Sequence, residues 1–426
     1  MTFAEALAAL DARIIEHMVP DLDRIVALSD LLGNPQRNYP SIHVTGTNGK
    51  TTTAVAATQM LRAAGLSVGT YTSPHVDKVT ERIAFDGTPI TEAEFAEGYA
   101  YLEPFLHAVD QKGERVTWFE TLTMLAENVF AEKPVDAAVF EVGMGGTWDA
   151  TNLIDGRVAV IAPIALDHPE LGSTPAEIAV EKAGIIKPDA VVISAAQDDD
   201  VMRVIERACV ERNAELRVWG RDFDLESLVL AVGGQVLTIR IGSRTYEELF
   251  LPLFGSALAR DAVLACAAVH AFLGDRELVG DLVAGALARV RSPGRLEVAR
   301  RNPLVLLDGA HNPAAAEALV RGLRESFRFD NLIVVASVLS DKDVAGVLRP
   351  LAEQASLIIA TQNRSPRATP LDQMKKAAAA FGTPVDSVAT VEGAVAVALE
   401  HATERDCVCV TGSLYTVGEA RKSLFP

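Results

Sequence analysis

Four cysteines in 426 residues is little thiol, and none of them has chelating spacing. Cys209 and Cys266 stand alone, while Cys407 and Cys409 alternate along an apolar run, which sets both on one face of a strand. A thiolate metal site and a disulfide scaffold are therefore excluded, and a reducing cytoplasm is the expected setting. Basic residues are short as well: 39 Lys and Arg stand against 57 Asp and Glu, a formal net charge of −18. A general nucleic-acid binder or an anionic-membrane binder needs a basic face, so neither partner is expected. No apolar run reaches 18 residues, and Glu5 and Asp11 interrupt the N-terminal stretch, which argues against a membrane span and a signal peptide. Internal repeats and low-complexity tracts are also missing. What is present, 49% hydrophobic and 23% charged residues, suits a globular enzyme too long for one ordinary core, so two domains are expected.

The chain is organised around residues 42–53, Ile-His-Val-Thr-Gly-Thr-Asn-Gly-Lys-Thr-Thr-Thr. The β-branched Ile42 and Val44 lead into a glycine turn from Gly46 to Gly49. Lys50 follows, and then a helix-forming segment from Thr51 to Ala64 that Gly65 can stop. Strand, glycine loop, lysine and helix-opening hydroxyls make a phosphate cradle. Glycines let backbone N–H groups turn onto anionic oxygens, the helix N-terminus adds a positive dipole, and Lys50 reaches the outer phosphates. The spacing is unusual, because a standard Walker A would put its first glycine at Val44.

The flanking chain reads as alternating helices and strands. Thr2 and Glu5 form a capping box for a helix with Leu7, Leu10 and Ile14 on one face, and Asp21 to Leu32 repeats the pattern. Strand Ser67–Tyr71 runs into Thr72-Ser73-Pro74-His75, where Pro74 ends it. Glu81 to Gly87 reads as a strand and turn, Thr91 to Val109 and Trp118 to Phe130 as helices. Val135 to Val142 is a buried strand bearing Glu141 at its end, where a magnesium ligand belongs opposite a phosphate loop. Val158 to Leu166 is another, ending in Asp167-His168; a helix from Thr174 then carries Lys182. Residues 221–252 read as short polar-alternating strands outside the main sheet, and Ala257 to Leu273 as a small-residue helix. A boundary at Arg291–Gly294 divides domain 1–291 from domain 292–426. In the second, strands at Leu304, Leu332, Ser356 and Cys407 each end in a polar turn. The expected fold is α/β: an N-terminal P-loop ATPase domain with a mostly parallel sheet, and a smaller Rossmann-like C-terminal domain.

Ten motifs in order carry a family resemblance. Thr45 to Lys50 (TGTNGK), Tyr71 to His75 (YTSPH), Thr117 to Glu120 (TWFE) and Glu141 to Asn152 (EVGMGGTWDATN) resemble folylpolyglutamate synthase, often bifunctional with dihydrofolate synthase. Leu166 to His168 (LDH), Glu181 to Ile185 (EKAGI), Pro293 to Glu297 (PGRLE), Asp308 to Pro313 (DGAHNP), Asp341 to Asp343 (DKD) and Thr411 to Tyr415 (TGSLY) continue it. The first motif is shared with the wider Mur ligase superfamily; YTSPH and EKAGI in order are much more specific to the folate branch. The resemblance implies a cytoplasmic, monomeric ligase that takes ATP, Mg²⁺, L-glutamate and a folate or dihydropteroate, and proceeds through an acyl phosphate. It further implies that Gly46, Thr47, Asn48, Gly49, Lys50 and Thr51 hold the triphosphate, with Arg295 and Asp308 contacting ATP from the C-terminal domain. Ser73, Glu141 and His168 match the family's magnesium ligands, Lys182 its carbamylated lysine, and His311 lies beside the reaction centre.

Three departures from the family pattern are present. Thr51-Thr52 follows the loop lysine where the family usually has Gly-Ser or a similar small pair, a mild change that keeps the hydroxyl. Two longer segments differ more. Gly-Gly-Arg-Leu-Asp is here Gly145-Gly146-Thr147-Trp148-Asp149, and Gly-x-His-Gln-x-x-Asn is Gly255 to Asp261 without the His, Gln or Asn. They motivate a second reading, the same ligation on another carboxylate. A non-catalytic nucleotide-binding paralogue is the third, against which the retention of Lys50, Glu141, His168 and Lys182 together speaks. About 40 residues precede the loop, too few for the UDP-sugar domain of a cell-wall ligase.

Overall fold

The glycine loop sits where it does because the strand before it is the hydrophobic centre of a sheet. Ser41–Thr45 (β1) is buried along its whole length, as a parallel strand covered on both faces must be. In this computed structural model, which describes residues 1–14, 20–113, 115–276 and 278–425, β1 lies inside an eight-stranded sheet. Its other strands are β2 (Val68–Tyr71), β3 (Ile83–Phe85), β4 (Thr88–Pro89), β5 (Ala137–Glu141), β6 (Gly156–Ile161), β7 (Val191–Ser194) and β8 (Glu215–Val218). The order is β4-β3-β2-β5-β1-β6-β7-β8, parallel from β2 to β8, with β3 and β4 antiparallel at one edge. The order in which strands are added reverses beside β1, the kind of switch point beside which open α/β sheets bind ligands.

One face of this sheet is covered by the Lys50–Ala63 and Ser256–Phe272 helices, whose Ala54, Ala57, Leu61, Ala262 and Val263 pack with Val44 and Val160. The antiparallel meander β9 (Phe223–Ala231), β10 (Gly234–Ile241) and β11 (Arg244–Leu251) adds Leu237, Ile239 and Leu249 to the same core. The other face meets the Glu92–Asp110 and Trp118–Glu132 helices through Phe95, Leu125, Phe130 and Phe140. Packing there is close: at Gly69 on β2 a Cβ would stand 2.6 Å from the Phe130 ring. Gly69→Ala is expected to cost about 1–3 kcal/mol by overpacking, read as a lowered melting temperature. An unchanged melting temperature would show that Phe130 gives way freely.

A second sheet, β12 (Glu297–Arg301), β13 (Leu304–Leu307), β14 (Leu332–Ala336), β15 (Leu357–Ala360), β16 (Val385–Ser387) and β17 (Cys407–Thr411), has the order β12-β13-β17-β14-β15-β16. All its pairs are parallel except β12 with β13. Cys407 and Cys409 face one side and Val408 and Val410 the other, as the alternation predicts. The fold is therefore the expected two-part α/β architecture. No helix among the described residues is long and apolar enough to cross a membrane.

Three local expectations are corrected. β6 stops at Ile161, so Asp167 and His168 belong to a loop rather than a strand end; the run of Ala162 to Leu166 contains Pro163, which donates no ladder hydrogen bond. Glu81 and Arg82 lie in a short 3₁₀ turn, Val79–Arg82, ahead of β3. The first helix ends at Asp11, leaving Ile14 66% exposed instead of on its buried face.

Candidate active site

The loop after β1 is preorganised by its neighbours. Thr45 Oγ1 donates to the Gly145 carbonyl at 2.7 Å, and the Thr47 N–H donates to the Pro163 carbonyl at 2.9 Å. Gly46, at φ +150°, is pressed against Ala162, where a Cβ would come within 2.6 Å of the Ala162 Cβ. At Gly49, with φ +86°, a side chain would run into the Asp261 carboxylate. Both glycines are thus required by space and by backbone conformation. Lys50 opens the helix and folds back over the loop, donating to the carbonyls of Gly46 at 3.0 Å and Thr47 at 3.2 Å. Burial pulls its ammonium below the ordinary lysine range, opposed by Glu141 and Asp167.

Glu141 closes the floor. Its carboxylate accepts from Thr51 Oγ1 at 2.8 Å and from the Ser73 N–H at 3.0 Å. Burial raises its pKa, while Lys50 and these two donors pull the other way. Lys182 is 4% exposed and donates to the Gly46 carbonyl at 2.8 Å; no carboxylate among the described residues lies within ion-pair distance. Burial, reinforced by the Lys50 charge, lowers its pKa to about 7. Lys182 is therefore a buried amine and not a solvated surface lysine. The helix end that carries Lys182 is held by Thr147, which donates its N–H and hydroxyl to the Glu181 carbonyl at 3.0 and 3.1 Å.

The C-terminal unit reaches this floor through a polar network. Asn312 Nδ2 donates to Asn48 Oδ1 at 3.1 Å, and Lys342 Nζ donates to Asp167 Oδ1 at 2.6 Å while lying 3.0 Å from His168 Nε2. His311 Nε2 stands 3.7 Å from Asp167 Oδ2. Burial alone would raise the pKa of Asp167, but His311, His168 and Lys342 hold it well below the carboxylate range. Burial lowers His168 to about 4, so its ring is neutral at neutral pH and available as a ligand. Asp308 is committed to the N–H groups of Leu296 at 2.7 Å and Ala310 at 2.8 Å. Arg295 packs beside Gly309 and donates to the Gly294 carbonyl at 3.3 Å.

Not all the residues read from the sequence share one shell. Ser73, Glu141 and Thr51 form one group, His168 with Asp167, Lys342 and His311 another, and Lys182 touches the loop between them. Sequence reasoning assigned no role to Asn312, Asp167, Lys342 or Asp261. Asp167 and Lys342 lay inside quoted motifs, but the cross-chain pairing that joins them left no mark in either. Asp261 has a pKa raised to about 7 by burial, opposed by Arg295. An acidic group against a phosphate loop is the feature least expected from the sequence.

Comparison with known proteins adds independent findings. The Mur ligase middle domain matches residues 44–269, and the Mur ligase glutamate ligase domain matches residues 294–414. A dihydrofolate synthase/folylpolyglutamate synthase of Mycobacterium tuberculosis is 42% identical, over 97% of this chain and 92% of that protein. A crystal structure of M. tuberculosis folylpolyglutamate synthase complexed with ADP and AMPPCP superposes with TM-score 0.95 at 41% identity, covering 100% of this chain and 98% of the other. An FPGS–AMPPCP–folate complex superposes at 0.88 and 31% identity, covering all of both chains.

Proposed function

This chain belongs to the folylpolyglutamate synthase/dihydrofolate synthase family of Mur ligases, and from that premise we propose the reaction its site performs. It is an ATP-dependent C–N ligase that joins L-glutamate to a folate, to dihydropteroate or to both. An acceptor carboxylate oxygen bonds to the γ-phosphorus of ATP as the bond to ADP breaks. The glutamate nitrogen then bonds to the acyl carbon, inorganic phosphate leaves, and the amine gives up its proton. Two nucleophiles and a phosphoryl group must be held in line, so the work is positioning and charge neutralisation.

The observation that carries this reading is the convergence of Lys50, Thr51, Glu141 and Lys182 on one glycine loop. The loop from Gly46 to Thr51 would hold the triphosphate, with Lys50 swinging from its carbonyl partners onto the outer phosphates. Arg295 and Asp308 would meet ATP from the unit 292–426, and the unit 1–291 would supply the cradle. Thr51, Ser73 and Glu141 offer hydroxyl and carboxylate oxygens, the donor set Mg²⁺ takes, and His168 with a carbamylated Lys182 would serve a second ion. Bound Mg²⁺ supplies charge neutralisation on the phosphates. His311 would stand beside the reacting groups. We place the enzyme in the cytoplasm as a monomer; its four cysteines are free and buried.

A second reading, the same ligation on another carboxylate, is favoured by Thr147, Trp148 and the Ala257–Asp261 segment. Phosphate release with MgATP and glutamate, supplying dihydropteroate, tetrahydrofolate or no acceptor, decides. Acceptor-dependent release is expected; none with either acceptor, while ATP still binds, would overturn the folate reading.

A further inference from the structure

Three arginines are buried among the described residues, and two of them are neutralised in the ordinary way. Arg13 pairs with Asp110 at 3.0 Å and Arg24 with Glu120 at 3.0 Å. Arg82 is 6% exposed and has no carboxylate within ion-pair distance among the described residues. A buried guanidinium without an anion is costly, and such a cation is retained where a ligand supplies the missing charge. The acid next to it in sequence does not help. Glu81 accepts from the N–H groups of Val76, Asp77 and Lys78 at 2.9, 3.1 and 2.8 Å, so its carboxylate is spent on the preceding turn.

What surrounds Arg82 is aromatic and neutral. Its guanidinium lies 4.7 Å from the centroid of the Trp118 ring, and its Nε donates to His75 Nδ1 at 3.0 Å. An imidazole is either neutral or cationic, so His75 accepts this bond without supplying any negative charge to offset the guanidinium. Tyr71, Tyr415 of the C-terminal unit and Glu141 are near enough to act on the guanidinium electrostatically. The segment is held at the junction of the two units, since Arg421 Nε donates to Asp77 Oδ2 at 3.3 Å and Gly418 lies against the Val76 carbonyl. Arg82 therefore stands on the Ser73 side of the catalytic floor, walled by rings that suit an aryl-bearing acid.

We propose that Arg82 binds the non-reacting carboxylate of a folate-type acceptor and so sets the preference for an acceptor that carries a second acid group. This inference rests on the ligase reading above. The reacting carboxylate is not the partner, because a guanidinium gripping the nucleophile would lower its reactivity at the γ-phosphorus. A dihydropteroate acceptor has only the reacting carboxylate and makes no use of Arg82. The triphosphate has its own lysine and loop.

The test compares tetrahydrofolate with its α-carboxamide, in which only the γ-carboxylate remains. For the wild-type enzyme kcat/KM is expected to favour the diacid by roughly ten- to a hundredfold, the worth of a hydrogen bond to a charged group. In Arg82→Gln that ratio should fall to within about threefold of unity through KM for the diacid, because uniform binding is what is lost. Arg82→Lys should recover part of it. A ratio equal to wild type in Arg82→Gln, or equal losses in kcat for both acceptors with a lowered melting temperature, would overturn the proposal. Failure of the ligase reading shows separately, as wild-type enzyme releasing no phosphate with either acceptor. Equilibrium binding of the two compounds to wild type and Arg82→Gln then decides the role of Arg82 by itself.

Discussion

Lys50→Ala is expected to lower acceptor-dependent phosphate release by about a thousandfold or more, the loss typical of removing a preorganised charge from a phosphoryl-transfer site. The fold should survive. Among the described residues Lys50 hydrogen-bonds to two loop carbonyls, and one of them, that of Gly46, keeps its bond from Lys182 at 2.8 Å. Glu141 loses a favourable charge but is already shifted toward its neutral form, so the cost to stability should be about 1–2 kcal/mol. Phosphate release and a thermal melt, run side by side, separate the two effects. Near-normal turnover in the variant would remove the loop from the chemistry altogether.

Lys182→Ala should reduce turnover by about a hundredfold or more, and a short carboxylate such as acetate should restore part of it. The reason lies in the amine's setting. Burial brings its pKa to about 7 from the ordinary 10.5, so an appreciable neutral fraction exists at neutral pH. Neutral amine adds to CO₂, forming an N–C bond and releasing a proton, and the product is an anion where no carboxylate among the described residues lies within ion-pair distance of the amine. The sign follows directly: below about pH 7 the ammonium form predominates, the free amine falls tenfold per pH unit, and carbamate formation falls with it. Wild-type activity at limiting bicarbonate should therefore decline on the acid side of pH 7 and recover with added bicarbonate. Full activity of Lys182→Ala without any added carboxylate would eliminate the carbamate.

The departures from the family pattern look different once folded. Thr147, standing where the family has arginine, donates twice to the Glu181 carbonyl and so holds the end of the helix that carries Lys182. That position is structural in this chain, and Trp148 beside it is half exposed. Asp261, standing where the family has asparagine, lies against Gly49 of the glycine loop. Of the two segments, only the second is placed to alter what the phosphate loop meets.

Local chemistry was legible from the sequence by itself. The capping box at Thr2, the glycine loop between β1 and its helix, and the alternation of Cys407 to Val410 are all set within a few residues, where periodicity and backbone freedom decide. The α/β class and the presence of two sheets followed from the same local signals. The end of β6 was misjudged because an apolar run continues past the last ladder bond, and apolarity reports burial rather than pairing. What only the tertiary structure decided is charge. Lys182, Arg82, Asp167 and Asp261 are ordinary letters in the chain, and each is made unusual by burial and by neighbours dozens to hundreds of residues away. Electrostatic energy depends on distance and on the surrounding dielectric, and neither is written in sequence spacing.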